Sequence, residues 1–342
     1  MRALVLVQPG RVELQQRADP TPGPGEVLLK VEATTLCGTD LRIISGAKTA
    51  GVRPGVVMGH EIAGRVAALG DGVTGYDVGQ QATPSIVLSC NHCRTCLLGY
   101  EHLCENLRLI GYEIDGGLAD YCLIPAQAVA QGNLITTRTE VKPTHLALAE
   151  PLSCCINALN QYRVHPGDVV AILGAGPIGL LHLQLAKASG AGQVIVSNRS
   201  VARREPAAAL GALAVGPDEL KQAVADATGG LGADVVVVCI GDTELATVAL
   251  DLARPGGRVN FFAGFPKGST AEVDVNLLHY KELVVTGGSN ARRRDVQAAV
   301  RLLESGALDA DAIVTHSFDL NDAVAAYDAV RDRLGVKIAV TP

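Results

Sequence analysis

Tryptophan is absent from the 342-residue sequence, and Phe, Tyr and Trp together make up only 3% of it. A surface that stacks bases or sugar rings on aromatic platforms is excluded on that count. Basic residues are not in excess: 29 Lys and Arg stand against 35 Asp and Glu, for a net charge of −6. The electrostatic footprint of a nucleic-acid or anionic-membrane partner is therefore missing. No apolar run approaches the roughly 18 residues of a membrane span. The longest, Val169–Leu181, is interrupted by three Gly and a Pro. The apolar run Ala3–Val7 holds five residues before Gln8-Pro9, too few for a secretory signal. The expectation is a soluble, cytoplasmic protein of about two domains, long enough to bury a large core.

What is abundant is glycine, 38 residues spread over turns. Short runs punctuated by Gly and Pro (Ala3–Val7, Val12–Gln15, Glu26–Val31, Val56–Leu69) read as strands through about residue 130. After Glu150 the pattern changes. Val169–Leu173, Gln193–Ser197, Val235–Cys239, Arg258–Ala263 and Leu283–Gly287 read as strands. Gly179–Ser189, Val201–Leu210 and Thr243–Leu252 read as helices between them. Such alternation predicts a doubly wound parallel sheet. Asp295–Ser305 and Leu320–Asp332 are helical patterns, and Lys337–Val340 a final strand.

Nine cysteines, an odd count without a secretion signal, argue against a disulfide framework. Four of them, Cys90, Cys93, Cys96 and Cys104, fall within one short polar stretch. Two-residue spacers let three sulfurs converge, and a seven-residue excursion returns the fourth. Four thiolates fill the tetrahedron of a zinc ion, so this site is expected to be structural and to replace a local core. His92 and His102 are then unnecessary and expected in solvent. Cys122, Cys154, Cys155 and Cys239 are expected to pack as small hydrophobes. His145, His165, His182, His279 and His316 carry no motif.

Gly174-Ala-Gly176-Pro177-Ile178-Gly179 follows a predicted strand and opens a predicted helix. Gly174 permits the tight turn, Gly176 admits a pyrophosphate to the backbone, and Gly179 lets helix and strand close. The helix N-terminus favours phosphate. The second strand ends without the carboxylate that binds adenine-ribose hydroxyls. It reads Ser197-Asn198-Arg199-Ser200 and continues to Arg203-Arg204. Asn198, Arg199, Ser200 and Arg203 suit a 2′-phosphate, so NADP(H) is expected over NAD(H).

Cys37-Gly38-Thr39-Asp40, Gly59-His60-Glu61 and Glu150-Pro151-Leu152 remain. A thiolate, an imidazole and one or two carboxylates can hold zinc with a position open to substrate. These motifs, the four-cysteine lobe, Asp115–Tyr121 and Gly174–Gly179 occur in an order that resembles the zinc-dependent medium-chain dehydrogenase/reductases. Among these the sequence is similar to the sorbitol (polyol) dehydrogenase branch. The resemblance covers essentially the whole chain. It implies an α/β plus β-rich architecture: a GroES-like catalytic domain (1–153, with the zinc lobe at about 88–106), a Rossmann domain (154–293), and a C-terminal return (294–342). It implies two zinc ions per chain. Cys37, His60 and Glu61 would be ligands of the catalytic one, and Glu150 would bind it directly or through water. Thr39 would begin a proton relay. The implied chemistry is hydride exchange between NADP(H) and a secondary alcohol or ketone, a polyol, sugar, cyclitol or amino-alcohol derivative, in a homodimer or homotetramer.

Two departures stand out. Arg42 occupies the place of a relay histidine and cannot accept a proton. Ile43 occupies that of an aromatic pocket residue. Ser289 and Asn290 are expected to border the nicotinamide pocket, and the sheet edge around Val259–Ala263 and Leu283–Gly287 to pair between subunits. The alternatives are NAD-dependent oxidation by the same mechanism and a non-catalytic NADP-binding redox sensor.

Overall fold

Strand Val27–Thr35 organises the first of two units. Val27, Leu29, Val31 and Ala33 turn inward while Lys30 faces solvent, the alternation of a half-buried strand. It pairs antiparallel with Glu61–Leu69 along its length. On its other edge Tyr121–Ile124 covers the first half and Lys337–Thr341 the second. The computed structural model describes Met1–Pro342. In it a seven-stranded sheet runs from Val314–Asp319 through Lys337–Thr341, Val27–Thr35, Glu61–Leu69 and Gln81–Pro84 to Leu134–Thr136. The N-terminal residues form a hairpin, Arg2–Gln8 with Arg11–Gln16. The strand expected over Val56–Leu69 starts only at Glu61. Gly59, at φ +90, bends the chain before it.

The second unit is a six-stranded parallel sheet. Its spatial order is Leu213–Val215, Gln193–Ser197, Val169–Leu173, Ala233–Val238, Ala253–Phe261, Val284–Gly287. The central strands are near-continuous β-branched runs because helices cover both faces; Val170, Ala171 and Ile172 are wholly buried. Strand Leu213–Val215 and helices Pro217–Thr228 and Val275–Lys281 were not anticipated from periodicity. One expectation is corrected: Val259–Phe261 lies inside the sheet, bonded on both sides, and of these two segments Val284–Gly287 alone is at an edge. His182 is buried in this unit, with Nδ1 at 2.9 Å from the Tyr162 hydroxyl.

By contacts the first unit comprises Met1–Ser153 and Asn290–Pro342, the second Cys154–Ser289. The second unit thus closes before Arg293. The returning segment supplies helices Arg293–Glu304 and Ala323–Arg331 and strand Lys337–Thr341 to the first unit. No helix is long and apolar enough to cross a membrane.

Two carboxylates brace the ends of the parallel strands. Asp168 accepts from Arg258 at 2.8 Å. Asp234 accepts from the Val169 N–H at 2.8 Å and from Arg254 Nε at 2.6 Å. Partial burial opposes ionisation of Asp234, but the Val169 N–H and the Arg254 guanidinium outweigh it and hold its pKa below the usual aspartate value. A folded pKa below the unfolded one adds stability above the unfolded value, about 3.9, and loses it as pH falls through the folded value. Asp234→Asn is therefore expected to lower Tm at neutral pH and to flatten its fall below about pH 4, as followed by thermal melts across pH.

Candidate active site

The four-cysteine lobe is assembled by its own backbone. Cys93 N–H points at Cys90 Sγ (3.3 Å), Cys96 N–H at Cys93 Sγ (3.5 Å), and Cys90 and Asn106 N–H at Cys104 Sγ (3.2 and 3.3 Å). All four sulfurs lie within 4.8 Å of one another. The N–H donors of His92 and Cys93 pull the Cys90 thiol well down, while burial and neighbouring thiols push Cys96 up. Four thiolates so close ionise together only around a cation, and the set fits a closed zinc site. The lobe buries little else: Leu97, Leu98 and Leu103 are 75%, 65% and 49% exposed. His92 is exposed as expected. His102 is not. It is buried beside Arg292, and burial brings its pKa down to about 4. Arg292 stacks over the Tyr100 ring at 5.0 Å, and Asn290 Nδ2 donates to His102 O at 3.3 Å. This contact accounts for the lost exposure.

A second cluster forms where the helix Gly38–Ile44 meets the start of strand Glu61–Leu69. Cys37 is the N-cap of that helix. Its Sγ accepts from Thr39 N–H at 3.5 Å, while Asp40 reaches back to Cys37 N–H at 3.0 Å. The turn at Gly59 aims His60 and Glu61 at the same point; a Cβ there would stand 2.7 Å from the Leu118 side chain. Donor atoms of Cys37, His60 and Glu61 lie within 4.8 Å of one another. Asp40 Oδ1 faces His60 Nδ1 at 3.1 Å, both buried. That leaves Nε2 for a metal, the usual carboxylate–histidine arrangement around zinc. This donor set fits a zinc ion with an open position.

The carboxylate of Glu61 is not idle without metal. Register sets Thr35 opposite both Glu61 and Ala339, which brings Lys337 alongside. Its Nζ contacts both Glu61 oxygens at 2.7 Å and donates to Leu36 O at 3.1 Å. Thr35 Oγ1 donates to Glu61 Oε2. Burial disfavours the ammonium of Lys337, yet Glu61 and Cys37 outweigh it and raise its pKa. The Tyr112 ring packs 5.2 Å from His60. Burial pushes the Tyr112 phenol well up. Glu150, half-buried in the first turn of helix Ala149–Tyr162, lies near enough to act on Tyr112 and Lys337 but outside the three-donor cluster. Thr39 is half-buried beside Cys37, Arg42 is exposed, and Ile43 packs into the core of the unit.

In the second unit Gly174 adopts φ +119, and a Cβ on Gly179 would fall 1.8 Å from Gly174 O. A Cβ on Gly176 would meet nothing, leaving open backbone where Pro177 and Ile178 begin the helix Pro177–Ala188. Asn198 Oδ1 accepts from Ala175 N–H at 3.3 Å, fixing the turn to the second strand. Arg199 is 80% exposed and 3.6 Å from Asp242. Ser200 stands at the N-cap position of the helix Val201–Ala209 without a side-chain capping bond, and Arg203 lies half-buried within it. Cys122 and Cys155 are buried, Cys154 and Cys239 partly so.

Models of known families match both parts of the chain: an alcohol dehydrogenase GroES-like domain over residues 23–133 and a zinc-binding dehydrogenase over 177–305. An L-threonine 3-dehydrogenase of Pyrococcus horikoshii is 37% identical, over 93% of this chain and 91% of its own. The chain belongs to the zinc-dependent medium-chain dehydrogenase/reductase superfamily. A sorbitol dehydrogenase of Halalkalibacterium halodurans is 32% identical over the whole of this chain and 99% of its own. Among solved structures, a zinc-binding dehydrogenase of Sinorhizobium meliloti bound to NADP superposes with a TM-score of 0.92 at 33% identity, covering 100% and 99% of the two chains. As a member of this superfamily the protein is an oxidoreductase of the zinc-dependent alcohol dehydrogenase kind, with a GroES-like part and a Rossmann part.

Sequence reasoning had passed over Thr35, Asp40, Tyr112 and Lys337. Lys337 left a faint signal, a lysine heading the otherwise apolar strand Ile338-Ala339-Val340. Its removal tests the ion pair. Lys337→Met leaves a buried carboxylate without its cation and is expected to cost about 3–5 kcal/mol in urea unfolding. Adding Glu61→Gln should recover most of that loss, so that the two changes are strongly non-additive.

Proposed function

We propose that this enzyme transfers hydride between NADP(H) and a secondary alcohol or its ketone, of the polyol, sugar, cyclitol or amino-alcohol class. The observation that carries the reading is the convergence of Cys37, His60 and Glu61 beside the hydroxyl-bearing Thr39. Zinc, when bound there, supplies Lewis acidity toward the substrate oxygen, and the nicotinamide supplies or accepts hydride. Cys37 and His60 hold the metal, with Asp40 fixing the imidazole. Glu61, held by Lys337 and Thr35, is the third ligand position, and Glu150 stands in reserve to reach the metal directly or through water. Thr39 receives the hydroxyl proton in oxidation and returns it in reduction. Arg42 accepts no proton, so no relay continues through this position; a bound cofactor would supply ribose hydroxyls in its place. The four-cysteine lobe carries a second, structural zinc.

Gly174, Gly176 and Gly179 cradle the pyrophosphate, and Arg199, Ser200 and Arg203 receive the 2′-phosphate. The NADP-bound neighbour supports this choice. One observation favours the NAD-dependent alternative: Arg199 already has a carboxylate, Asp242, within 3.6 Å. The enzyme acts in the cytoplasm as a homodimer or homotetramer. The exposed edge strand Val284–Gly287, with Val284 51% and Val285 40% exposed, supports pairing between copies.

Zinc content and cofactor titration on one purified sample test the proposal. Two zinc per chain and tighter binding of NADPH than NADH are expected. Cys37→Ser should lose one zinc and turnover; Cys104→Ser should lose the other zinc with a lower Tm. Arg199→Ala should raise the NADPH KM about tenfold more than that for NADH. NADH bound more tightly would assign the same chemistry to NAD.

A further inference from the structure

Lys48 sits on the stretch 45–53 that follows the helix Gly38–Ile44, and this stretch is fastened at both ends. Lys48 N–H donates to Arg42 O at 2.9 Å. Arg53 N–H donates to Tyr112 O at 2.9 Å, its Nε to Glu113 O at 2.9 Å, and its Nη2 to Asp115 Oδ1 at 2.8 Å. The loop is thereby laid along the segment 112–115. Lys48 is half-buried, and its Nζ stands 5.5 Å from the centroid of the Tyr112 ring. Tyr112 in turn packs against His60. One buried ring separates an ammonium from a metal-binding imidazole.

Of the charged groups around His60, Asp40 faces the imidazole, Glu61 and Lys337 face each other, and the Glu150 carboxylate acts on Tyr112 and Lys337. Lys48 pairs with no carboxylate; the aromatic ring is its contact. A cation held over a ring gives up part of its hydration, and it regains the loss when an anion reaches it. A neutral polyol offers it only hydroxyls. A carboxylate a few carbons from the reacting hydroxyl offers a charge-assisted hydrogen bond. A single compact ammonium suits one carboxylate; a phosphate dianion is more often met by an arginine fork or several N–H groups.

We propose that Lys48 is a specificity-determining residue and that the preferred substrates are secondary alcohols bearing a carboxylate, hydroxy acids of the aldonate kind. The proposal rests on the alcohol dehydrogenase reading of the same site. Three probes share one six-carbon skeleton and differ only at C1: sorbitol, gluconate and sorbitol 1-phosphate. They are compared on the zinc-loaded enzyme with NADP and NAD, and gluconate binding is measured by calorimetry. Gluconate is expected to show the highest kcat/KM. Lys48→Gln should reduce its kcat/KM about ten- to hundredfold more than that of sorbitol, through KM, with a matching loss of gluconate binding. Lys48→Arg should restore most of both. Equal use of sorbitol and gluconate, or equal losses for all three in Lys48→Gln, overturns the proposal and leaves the dehydrogenase reading intact. A preference for the phosphate overturns the carboxylate assignment. Failure to oxidise any of the three, with no gluconate bound, overturns both readings.

Discussion

The first unit is built around one buried ion pair. Lys337 and Glu61, 4% and 0% exposed, meet because strand Lys337–Thr341 and strand Glu61–Leu69 flank the same end of Val27–Thr35. Neither charge survives alone at that depth. Removing two such ions from water costs several kcal/mol each, and only good geometry with further hydrogen bonds returns it. Here Thr35 Oγ1 and Leu36 O complete the set. The pair constrains what surrounds it: the register of three strands, the rotamer of Glu61, and with it the position of the carboxylate beside Cys37 and His60.

The metal lobe is organised the opposite way. Its leucines lie in solvent, and its order comes from sulfurs held by backbone N–H groups. Where Lys337 and Glu61 carry opposite charges into an apolar sheet, the lobe gathers like-charged donors in a polar loop. Each set is incomplete by itself in a different sense: the first is balanced by a lysine, the second by a cation from outside the chain. The lobe is also tied to the returning segment, since Asn290 and Arg292 grip His102 and Tyr100. That grip is why His102, two residues from Cys104 and polar by every local cue, is buried.

Legibility in the sequence followed sequence distance. Gly174–Gly179 and Cys90–Cys104 are local devices whose spacing encodes their geometry, and the alternation after Glu150 signalled the parallel sheet. Cys37 and His60-Glu61 were recognisable only as parts of an ordered set of motifs. The roles of Lys337, Tyr112 and Asp40 were not legible, although Asp40 stands in the Cys37 motif and Lys337 heads an apolar strand, because they arise from register and from packing between segments distant in sequence, which no window of neighbouring residues contains. The strand Leu213–Val215 was missed for a different reason: three residues carry too little periodicity to register. The interior placement of Val259–Phe261 depended on which strand follows it in space, again a matter of topology.

The discontinuity of the first unit bears on the order in which the protein is made. Cys154–Ser289 is one unbroken stretch and holds everything its sheet requires, so it can collapse while synthesis continues. Glu61 leaves the ribosome with its counter-ion still 276 residues away. Until strand Lys337–Thr341 arrives, the region around Cys37 and His60 holds an unbalanced carboxylate and stays hydrated. The cluster of Cys37, His60 and Glu61 therefore cannot close with its charge balanced until translation has delivered that strand.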